Sequence, residues 1–419
     1  MRSQHFLIVL LALSACGKEA TFTVRESVEQ LHVTHAAPGT ELVVVDASGK
    51  ELATGVADEQ GSLMFRRLPP GKDYRVKDRA NPPEITRPLT VMTAAESQPK
   101  QDFYAKQKLE AGFNYLTMRD GTTLSAWVTL PRGKGPFPTV VNYSGYEPSR
   151  PQPPNPDLTF LCDEFPVMCT PPTDPNSLLA DMFGYATVSV NVRGTGCSGG
   201  AYDYFETMQV LDGYDVVEIV GAQDWVLHHQ VGMVGLSYPG ITQLFVGSAK
   251  PPSLAAISPM SVIGSTDSTL LPGGILNDGF AIGWVKAVLS KAVPYGQGWE
   301  KERVDAGDTV CAENQLLHSQ FIDNVAQARK IVFYDPAEHD KYNPTTFVDR
   351  IDVPVFLTGS WQDEQTGPYF FLLLDKFTSS PSRRFVATNG VHIDGFSPRM
   401  MMEWYSFLEL FVAKRKPID

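Results

Sequence analysis

The stretch that decides the fold is Val231-Gly-Met-Val-Gly235-Leu-Ser-Tyr-Pro-Gly240-Ile-Thr-Gln-Leu-Phe245. It begins as an apolar run typical of a buried strand and continues, after a glycine-rich turn, into a helical pattern. A strand, a sharp turn and a helix in this order expose the side chain at the turn, which here is Ser237. Because a serine hydroxyl is a weak nucleophile without a neighbouring base, Ser237 is a candidate nucleophile that needs partners elsewhere in the chain.

The turn departs from the general Gly-x-Ser-x-Gly pattern. Gly235 is in place, but Pro239 occupies the position of the second glycine and Gly240 follows one residue late. Taken alone, a serine in a glycine-rich turn is more often structural than catalytic, since such matches carry a false-positive risk. The assignment therefore depends on the residues that follow.

Strand and helix patterns alternate around this turn from about residue 113 onward. Strand patterns cover 139–142, 186–192, 231–235, 353–358 and 384–388, and helical patterns cover 216–225 and 397–412. The alternation predicts an α/β fold, with a mostly parallel sheet and helices on both faces. The intervening segment 261–349 is rich in glycine and helical patterns, and we expect it to form a mainly helical lid inserted into the core.

Two candidate partners of Ser237 follow the later strands. Asp363 and His392 each come directly after one of the last two strand patterns. The order serine, acid, histidine is that of α/β-hydrolase triads. We therefore expect His392 to act as general base and Asp363 to hold its imidazole in the required tautomer, with Glu364 as a rival acid one residue away.

Together these segments resemble the cocaine esterase and X-Pro dipeptidyl-peptidase family of α/β-hydrolases over about residues 113–412. The motifs that carry the resemblance are Asp120-Gly-Thr-Thr-Leu124, Arg193-Gly-Thr-Gly-Cys-Ser-Gly-Gly200, Asp212-Gly-Tyr-Asp215, Gln223-Asp-Trp225 and Gly235-Leu-Ser-Tyr-Pro-Gly240. The displaced glycine is that family's own form of the turn. The resemblance implies the α/β-hydrolase fold and a triad of Ser237, Asp363 and His392.

The resemblance also implies an oxyanion hole made by the backbone amide of Tyr238 and the hydroxyl of Tyr146. Tyr143, earlier in the same loop, is expected to be a packing residue. Arg193 and Asp212 are expected to hold the loops beside the turn. The chemistry needs no metal or cofactor, and we expect none.

The leading functional interpretation is a serine hydrolase that acts on a small ester or a short peptide through an acyl-enzyme on Ser237, with esters slightly favoured. The alternative within this class is an aminopeptidase of the X-Pro dipeptidyl-peptidase type. The family usually continues into a C-terminal jelly-roll domain, whereas this sequence stops after its terminal helix. This difference weakens the expectation that the chain shares the X-Pro specificity of the family's peptidases. The competing class is a catalytically inactive surface-binding lipoprotein, and the intact triad argues against it.

The N-terminal residues of the sequence predict that the protein is exported. Residues 1–15 combine one positive charge, a short apolar run and small residues, as a signal peptide does, and the run is shorter than the roughly 20 residues of a membrane-spanning helix. Leu13-Ser-Ala-Cys16 resembles the lipobox of bacterial lipoproteins. We therefore expect lipidation of Cys16 and anchoring to a bacterial membrane, with ordinary cleavage near Ala15 as the alternative.

A separate domain follows the signal. Residues 16–105 contain short alternating apolar segments broken by turn residues, for example Leu42-Val-Val-Val-Asp46 and Pro69-Pro-Gly71. This spacing predicts an antiparallel β-sandwich, and the region resembles immunoglobulin-like modules of the carboxypeptidase-regulatory type. The catalytic domain is then expected over residues 106–419.

Composition and charge narrow the possible partners. The chain has 419 residues, of which 43% are hydrophobic and 20% charged, as in a folded protein of two domains. A net charge of −12 provides no basic surface for phosphates, so no nucleic-acid partner is expected.

The cysteines predict at least one disulfide. Beyond Cys16 their number is even, and the expected compartment is oxidising. The four are Cys162, Cys169, Cys197 and Cys311. Cys162 and Cys169 are a candidate local pair, and burial of all four as small apolar residues is the alternative.

Overall fold

The computed structural model describes residues 18–152, 167 and 169–417. The chain divides into two compact units, the first ending at Thr93 and the second beginning at Ala94. The predicted signal peptide, residues 1–15, and the predicted lipidation site Cys16 lie outside the described residues. Within the described ranges, no helix is both long and apolar enough to cross a membrane.

The first unit consists of β-strands. They are β1 (Lys18–Glu19), β2 (Thr23–Glu26), β3 (Leu31–Thr34), β4 (Glu41–Val45), β5 (Glu51–Val56), β6 (Leu63–Phe65), β7 (Gly71–Asp78), β8 (Glu84–Ile85) and β9 (Leu89–Val91). One sheet has the order β1-β8-β7-β4-β5, with β9 paired to β7, and a second sheet has the order β2-β3-β6. Leu31 of β3 and Val44 of β4 lie in one apolar core, so the two sheets pack together. The all-β prediction is confirmed, and the immunoglobulin-like assignment stays a prediction.

The second unit is built on a sheet of eight strands in the order β10-β11-β13-β12-β14-β15-β16-β17. They are β10 (Gly112–Thr117), β11 (Thr123–Thr129), β12 (Phe137–Ser144), β13 (Ala186–Asn191), β14 (Val226–Leu236), β15 (Leu254–Met260), β16 (Val355–Ser360) and β17 (Arg383–Thr388). Strand β11 is antiparallel to β10 and to β13, and the remaining pairs are parallel. This is the mostly parallel sheet that the sequence predicts.

Helices of the second unit connect and cover these strands. They are α1 (Gln101–Ala105), α2 (Pro175–Met182), α3 (Thr207–Gly221), α4 (Tyr238–Ser248), α5 (Thr266–Leu270), α6 (Phe280–Ala292), α7 (Trp299–Asp305), α8 (Thr309–Asn314), α9 (Asn324–Ala328), α10 (Pro336–His339) and α11 (Pro398–Phe411). Short 3₁₀ turns cover Pro272–Gly274, Gln315–Gln320, Asp340–Tyr342, Pro344–Thr346, Val348–Arg350, Pro368–Leu373 and His392–Phe396.

Helix α1 belongs to the second unit, although the predicted boundary at residues 105 and 106 placed it in the first. The Tyr104 hydroxyl donates to Asp215 Oδ1 in α3 over 2.8 Å, and both residues are buried. Because this bond ties α1 to α3, the division of the chain falls between Thr93 and Ala94 instead.

Alternation along the central strands explains why helices cover both faces of the large sheet. Val140 of β12 and Phe356 of β16 lie in one apolar cluster, which also contains Trp404 of α11. Their neighbours Val141 and Leu357 lie in the other cluster, which contains α3 and α4. Successive side chains of a strand point to opposite faces, so an unbroken apolar run needs cover on both sides.

The chain between β15 and β16 forms the predicted helical insertion. Helices α5 to α10 all lie in this segment, residues 261–354, which we call the insertion. Cys311 of α8 is disulfide-bonded to Cys197 in the loop after β13, and this bond ties the insertion to the core. Cys169 is also disulfide-bonded, and its expected partner Cys162 lies outside the described residues. The prediction of at least one disulfide is confirmed.

Candidate active site

Ser237 lies at the turn between β14 and α4, with φ 68° and ψ −127°. A positive φ is a strained conformation for a residue with a side chain, and its cost is about 1–3 kcal/mol. The turn is held tightly, because a Cβ on Gly235 would lie 2.5 Å from Pro239 Cβ and one on Gly240 would lie 2.7 Å from the Met260 carbonyl oxygen. Both positions therefore require glycine, and Pro239 fills the space that Gly235 leaves. The late second glycine is thus explained by packing.

Asp363 and His392 meet at the carboxyl ends of β16 and β17. Asp363 Oδ2 accepts a hydrogen bond from His392 Nδ1 at 2.8 Å, and both side chains are buried. Oδ2 also accepts from Thr366 Oγ1, while Oδ1 accepts from the amides of Gln365 and Thr366, each at 2.8 Å. Four bonds therefore fix the carboxylate and, through it, the orientation of the imidazole.

The surroundings of Asp363 favour its ionised form. Burial raises the pKa of this carboxyl, but the hydrogen bond and charge of His392 and the bonds from the Thr366 and Gln365 amides outweigh burial. The pKa of Asp363 consequently lies below its ordinary value. An ionised acid at this position stabilises the imidazolium that forms when the histidine takes a proton.

The rival acid, Glu364, has a different role. Its side chain is exposed, and its Oε2 accepts from the backbone amide of His392 at 3.0 Å. That backbone bond is the main reason why the pKa of Glu364 is lowered. Glu364 therefore supports the loop that carries the histidine, whereas Asp363 contacts the ring.

The second ring nitrogen of His392 is buried, and it has no hydrogen-bond partner among the described residues. His392 and Ser237 line the same cavity, which has a volume of about 450 Å³. The Ser261 hydroxyl donates to the His392 carbonyl at 2.8 Å and holds the backbone at the histidine. Nε2 is thus the free atom of a histidine whose other nitrogen is already bound, as a general base requires.

Of the two candidate tyrosines, Tyr143 lies within β12 and not in the loop after it, whereas Tyr146 lies in that loop and lines the cavity. Its hydroxyl accepts a hydrogen bond from Trp284 Nε1 of α6 at 2.9 Å. Tyr143 is fully buried, and its hydroxyl donates to the Gln209 carbonyl at 2.9 Å. Tyr143 therefore packs in the core, and Tyr146 is the phenol available to a bound substrate.

The other predicted oxyanion donor is the amide of Tyr238. This residue begins α4, and the first amides of a helix have no acceptor within the helix. The Tyr238 side chain turns into the core, where its hydroxyl lies 3.0 Å from the Tyr202 hydroxyl. Only the backbone of Tyr238 is therefore a candidate donor at the site.

Arg193 and Asp212 form a buried ion pair in the second unit. Arg193 Nε donates to Asp212 Oδ2 at 2.6 Å, and Arg193 Nη2 lies 3.3 Å from Asp120 Oδ2. All three side chains are fully shielded from solvent. They join three motifs of the sequence and tie the loop after β13 to α3 and to the turn between β10 and β11.

The cavity is also lined by charged side chains that the sequence analysis did not single out. Glu147 follows Tyr146 directly and accepts from Lys291 of α6 at 2.6 Å and from Arg150 at 2.8 Å. Asp174 also lines the cavity and caps α2 by accepting from the Ser177 amide. Glu147 could have been suspected from its position beside Tyr146, but Lys291 and Trp284 come from the insertion and carry no motif.

The fold and the site define a class of protein. A mostly parallel sheet, a serine at a strained strand-to-helix turn, and an acid and a histidine after the last two strands are the features of an α/β-hydrolase of the serine hydrolase class. The chain belongs to the X-Pro dipeptidyl-peptidase family, S15, whose sequence profile matches residues 120–394. The family resemblance is thereby confirmed. No curated protein shows significant similarity to this chain.

Solved structures support the fold. A CocE/NonD family hydrolase from Staphylococcus aureus is similar with a TM-score of 0.56 and 18% identity, over 74% of this chain and 55% of that one. An aminopeptidase from a marine sediment Thaumarchaeota archaeon gives a TM-score of 0.50 and 17% identity, over 77% of this chain and 57% of that one. An α-amino acid ester hydrolase gives a TM-score of 0.50 and 17% identity, over 69% of this chain and 50% of that one. The chain thus spans slightly more than half the length of the first two.

Proposed function

We propose that this protein hydrolyses an ester or amide bond through an acyl-enzyme on Ser237, and that esters are its preferred substrates. The observation that carries the proposal is the buried histidine between an acid and the nucleophile's cavity. His392 Nδ1 is bound to Asp363, Nε2 is unpartnered among the described residues, and Ser237 lines the same cavity. This arrangement fits a base that serves the serine.

In the acylation step, Ser237 Oγ attacks the substrate carbonyl carbon while His392 Nε2 takes the hydroxyl proton. The carbonyl oxygen becomes negatively charged, and the Tyr238 amide and the Tyr146 hydroxyl donate to it. Donors held in place before the reaction stabilise this charge without reorganising. The imidazolium then gives its proton to the leaving alcohol or amine, which departs.

In the deacylation step, water takes the place of the leaving group. His392 removes a proton from the water, which attacks the acyl carbon, and the proton passes to Ser237 as the acid is released. Asp363 stays ionised throughout, because its lowered pKa keeps the carboxylate available to the imidazolium.

The charges of the cavity favour esters over peptides with a free amino terminus. An ammonium group needs an uncompensated carboxylate. Glu147 already forms ion pairs with Lys291 and Arg150, and Asp174 is engaged as the cap of α2. These are the two carboxylates that line the cavity among the described residues. The charge of Glu147 is compensated and Asp174 already holds a donor, so the cavity favours an uncharged acyl group.

The test compares two chromogenic substrates: the p-nitrophenyl ester of a short acid and an Xaa-Pro p-nitroanilide. We expect turnover of the ester and slow or no turnover of the anilide, with Ser237→Ala inactive on both. A fluorophosphonate should add its mass to the peptide that contains Ser237. Preference for the anilide would support the X-Pro peptidase alternative, and absence of both turnover and labelling would support an inactive binding protein.

We also propose that the protein is exported and anchored to a bacterial membrane through lipid on Cys16. The motif Leu13-Ser-Ala-Cys16 supports this, and the Cys197–Cys311 disulfide is typical of an oxidising compartment. The wild type should partition into detergent, whereas Cys16→Ser should be released or misprocessed. A freely soluble wild type with an unmodified N-terminus would contradict the proposal.

A further inference from the structure

The hydroxyl of Tyr146 is held by a residue of the insertion. Trp284 Nε1, on α6, donates to the phenol oxygen at 2.9 Å. An indole nitrogen donates a hydrogen bond and accepts none, so the hydroxyl proton of Tyr146 cannot be directed at Trp284. No other hydrogen bond to this hydroxyl occurs among the described residues. Its proton is therefore left for a group in the cavity that Tyr146 lines.

Aromatic packing fixes the indole with respect to the nucleophile turn. The ring of Trp284 meets the ring of Tyr238 edge to face, with centroids 5.3 Å apart and an interplanar angle of 81°. Tyr146 meets the same Tyr238 ring at 5.4 Å and 84°. Edge-to-face pairs of this kind are the favoured aromatic geometry. Because Tyr238 follows Ser237 directly, both rings are positioned against the residue next to the nucleophile.

The insertion also holds the backbone on which Tyr146 sits. Gln297 Nε2 donates to the carbonyl oxygens of Gly145 and Tyr146. Lys291 Nζ binds Glu147 Oε1. Three consecutive residues of the loop after β12 are thus tied to α6 and the segment that follows it. Closely placed contacts of this kind orient a side chain more strictly than one bond alone.

We propose that Trp284 is a positioning residue of the oxyanion hole, which directs the Tyr146 hydroxyl at the carbonyl oxygen of a substrate on Ser237. The inference rests on the proposed function and names the part of the insertion that serves it. A hydroxyl oxygen that accepts a hydrogen bond is polarised and becomes a better donor. The bond from Trp284 therefore sets both the direction and the strength of the Tyr146 donor.

The test is a double-mutant cycle on hydrolysis of a short-chain p-nitrophenyl ester. Trp284→Phe keeps an aromatic ring against Tyr238 and removes the N–H, so kcat should fall by about 3- to 10-fold with KM little changed. In a Tyr146→Phe background the same change should have no further effect on kcat, because the phenol oxygen that it serves is gone.

Trp225→Phe is the matched control. It also removes an indole N–H, but this one donates to the Leu109 carbonyl at 3.2 Å and not to Tyr146. This variant should keep the kcat of the wild type. If Trp284→Phe does not fold, replacement of Trp284 by 3-benzothienylalanine keeps the ring shape with sulfur in place of the N–H, and the same loss of kcat is expected.

The outcomes separate this inference from the proposed function. Turnover that depends on Ser237 together with an unchanged kcat for Trp284→Phe would overturn the role of Trp284 and leave the hydrolase function intact. An equal loss in the wild-type and Tyr146→Phe backgrounds would also overturn it, because the indole would then act without the phenol. Absence of Ser237-dependent turnover in the wild type would refute the proposed function itself, and the inference with it.

Discussion

Replacement of Asp363 by asparagine is expected to lower kcat by about 10⁴ without loss of the fold. The amide has the shape of the carboxylate, and its oxygen can keep the two bonds that Oδ1 accepts from the Gln365 and Thr366 amides. Its NH₂ group then takes the place of Oδ2, which accepts from His392 Nδ1 and Thr366 Oγ1. One acceptor is thus exchanged for a donor at the atom that faces the imidazole.

The magnitude follows from the tautomer. Opposite an NH₂ group, Nδ1 of His392 becomes the acceptor and the proton moves to Nε2, which can then no longer take the proton of Ser237. A factor of 10⁴ corresponds to about 5.5 kcal/mol in the activation free energy. The net contribution of one hydrogen bond is only about 1 kcal/mol, so loss of the bond alone would not account for the effect.

The assay is steady-state hydrolysis of a p-nitrophenyl ester, with circular dichroism as the check on folding. Glu364→Gln is the matched control, because its carboxylate accepts from the backbone amide of His392 and from the Gln365 side chain, and the imidazole ring is bound by Asp363 instead. The control should lose less than about tenfold in kcat, the scale of one hydrogen bond. A loss of about 10⁴ in Glu364→Gln with an active Asp363→Asn would refute the assignment of the acid.

The same substitution tests the ionisation of Asp363. Its folded pKa lies below the ordinary value of 3.8, so the ionised group contributes stability above about pH 4, and this contribution is lost as the pH falls through the folded pKa. The free energy of unfolding of Asp363→Asn should therefore decrease less on acidification than that of the wild type. Urea denaturation at a series of acidic pH values measures the difference, and parallel curves would contradict the lowered pKa.

Three further predictions concern the oxyanion hole, the buried ion pair and the disulfide. Tyr146→Phe should lower kcat by about 10²–10³ with little change in KM, and Tyr143→Phe should be nearly silent; steady-state kinetics would show a misassigned loop if the two effects were reversed. Arg193→Met should lower the free energy of unfolding by about 3–5 kcal/mol, because two carboxylates are left buried without their cation; denaturant titration measures this, and a change below about 1 kcal/mol would contradict it. Replacing both Cys197 and Cys311 by serine should lower the free energy of unfolding by about 2–4 kcal/mol. Thermal denaturation checks this, and an unchanged melting temperature would show that the disulfide adds no stability.

The nucleophile turn was predictable because its information is local. Strand, serine and helix start lie within a few residues of each other, and a period-2 or helical pattern is visible in any short window. The order of the triad was predictable for a related reason, since each residue directly follows a strand whose apolar run is plain in the sequence. What remained open was the choice between neighbours, such as Asp363 and Glu364, which differ by one position and by the direction of their side chains.

The sequence by itself determined the α/β class, the all-β first region, the helical insertion and the position of Ser237, Asp363 and His392 after their strands. Only the tertiary structure decided that Asp363 binds the imidazole, that Cys197 pairs with Cys311 across 114 residues and that Trp284 reaches Tyr146 across 138. The physical reason is the range of the interaction. Periodicity encodes which face of an element is buried, whereas a contact between residues far apart in the chain depends on how whole elements pack, and no short window of sequence contains that.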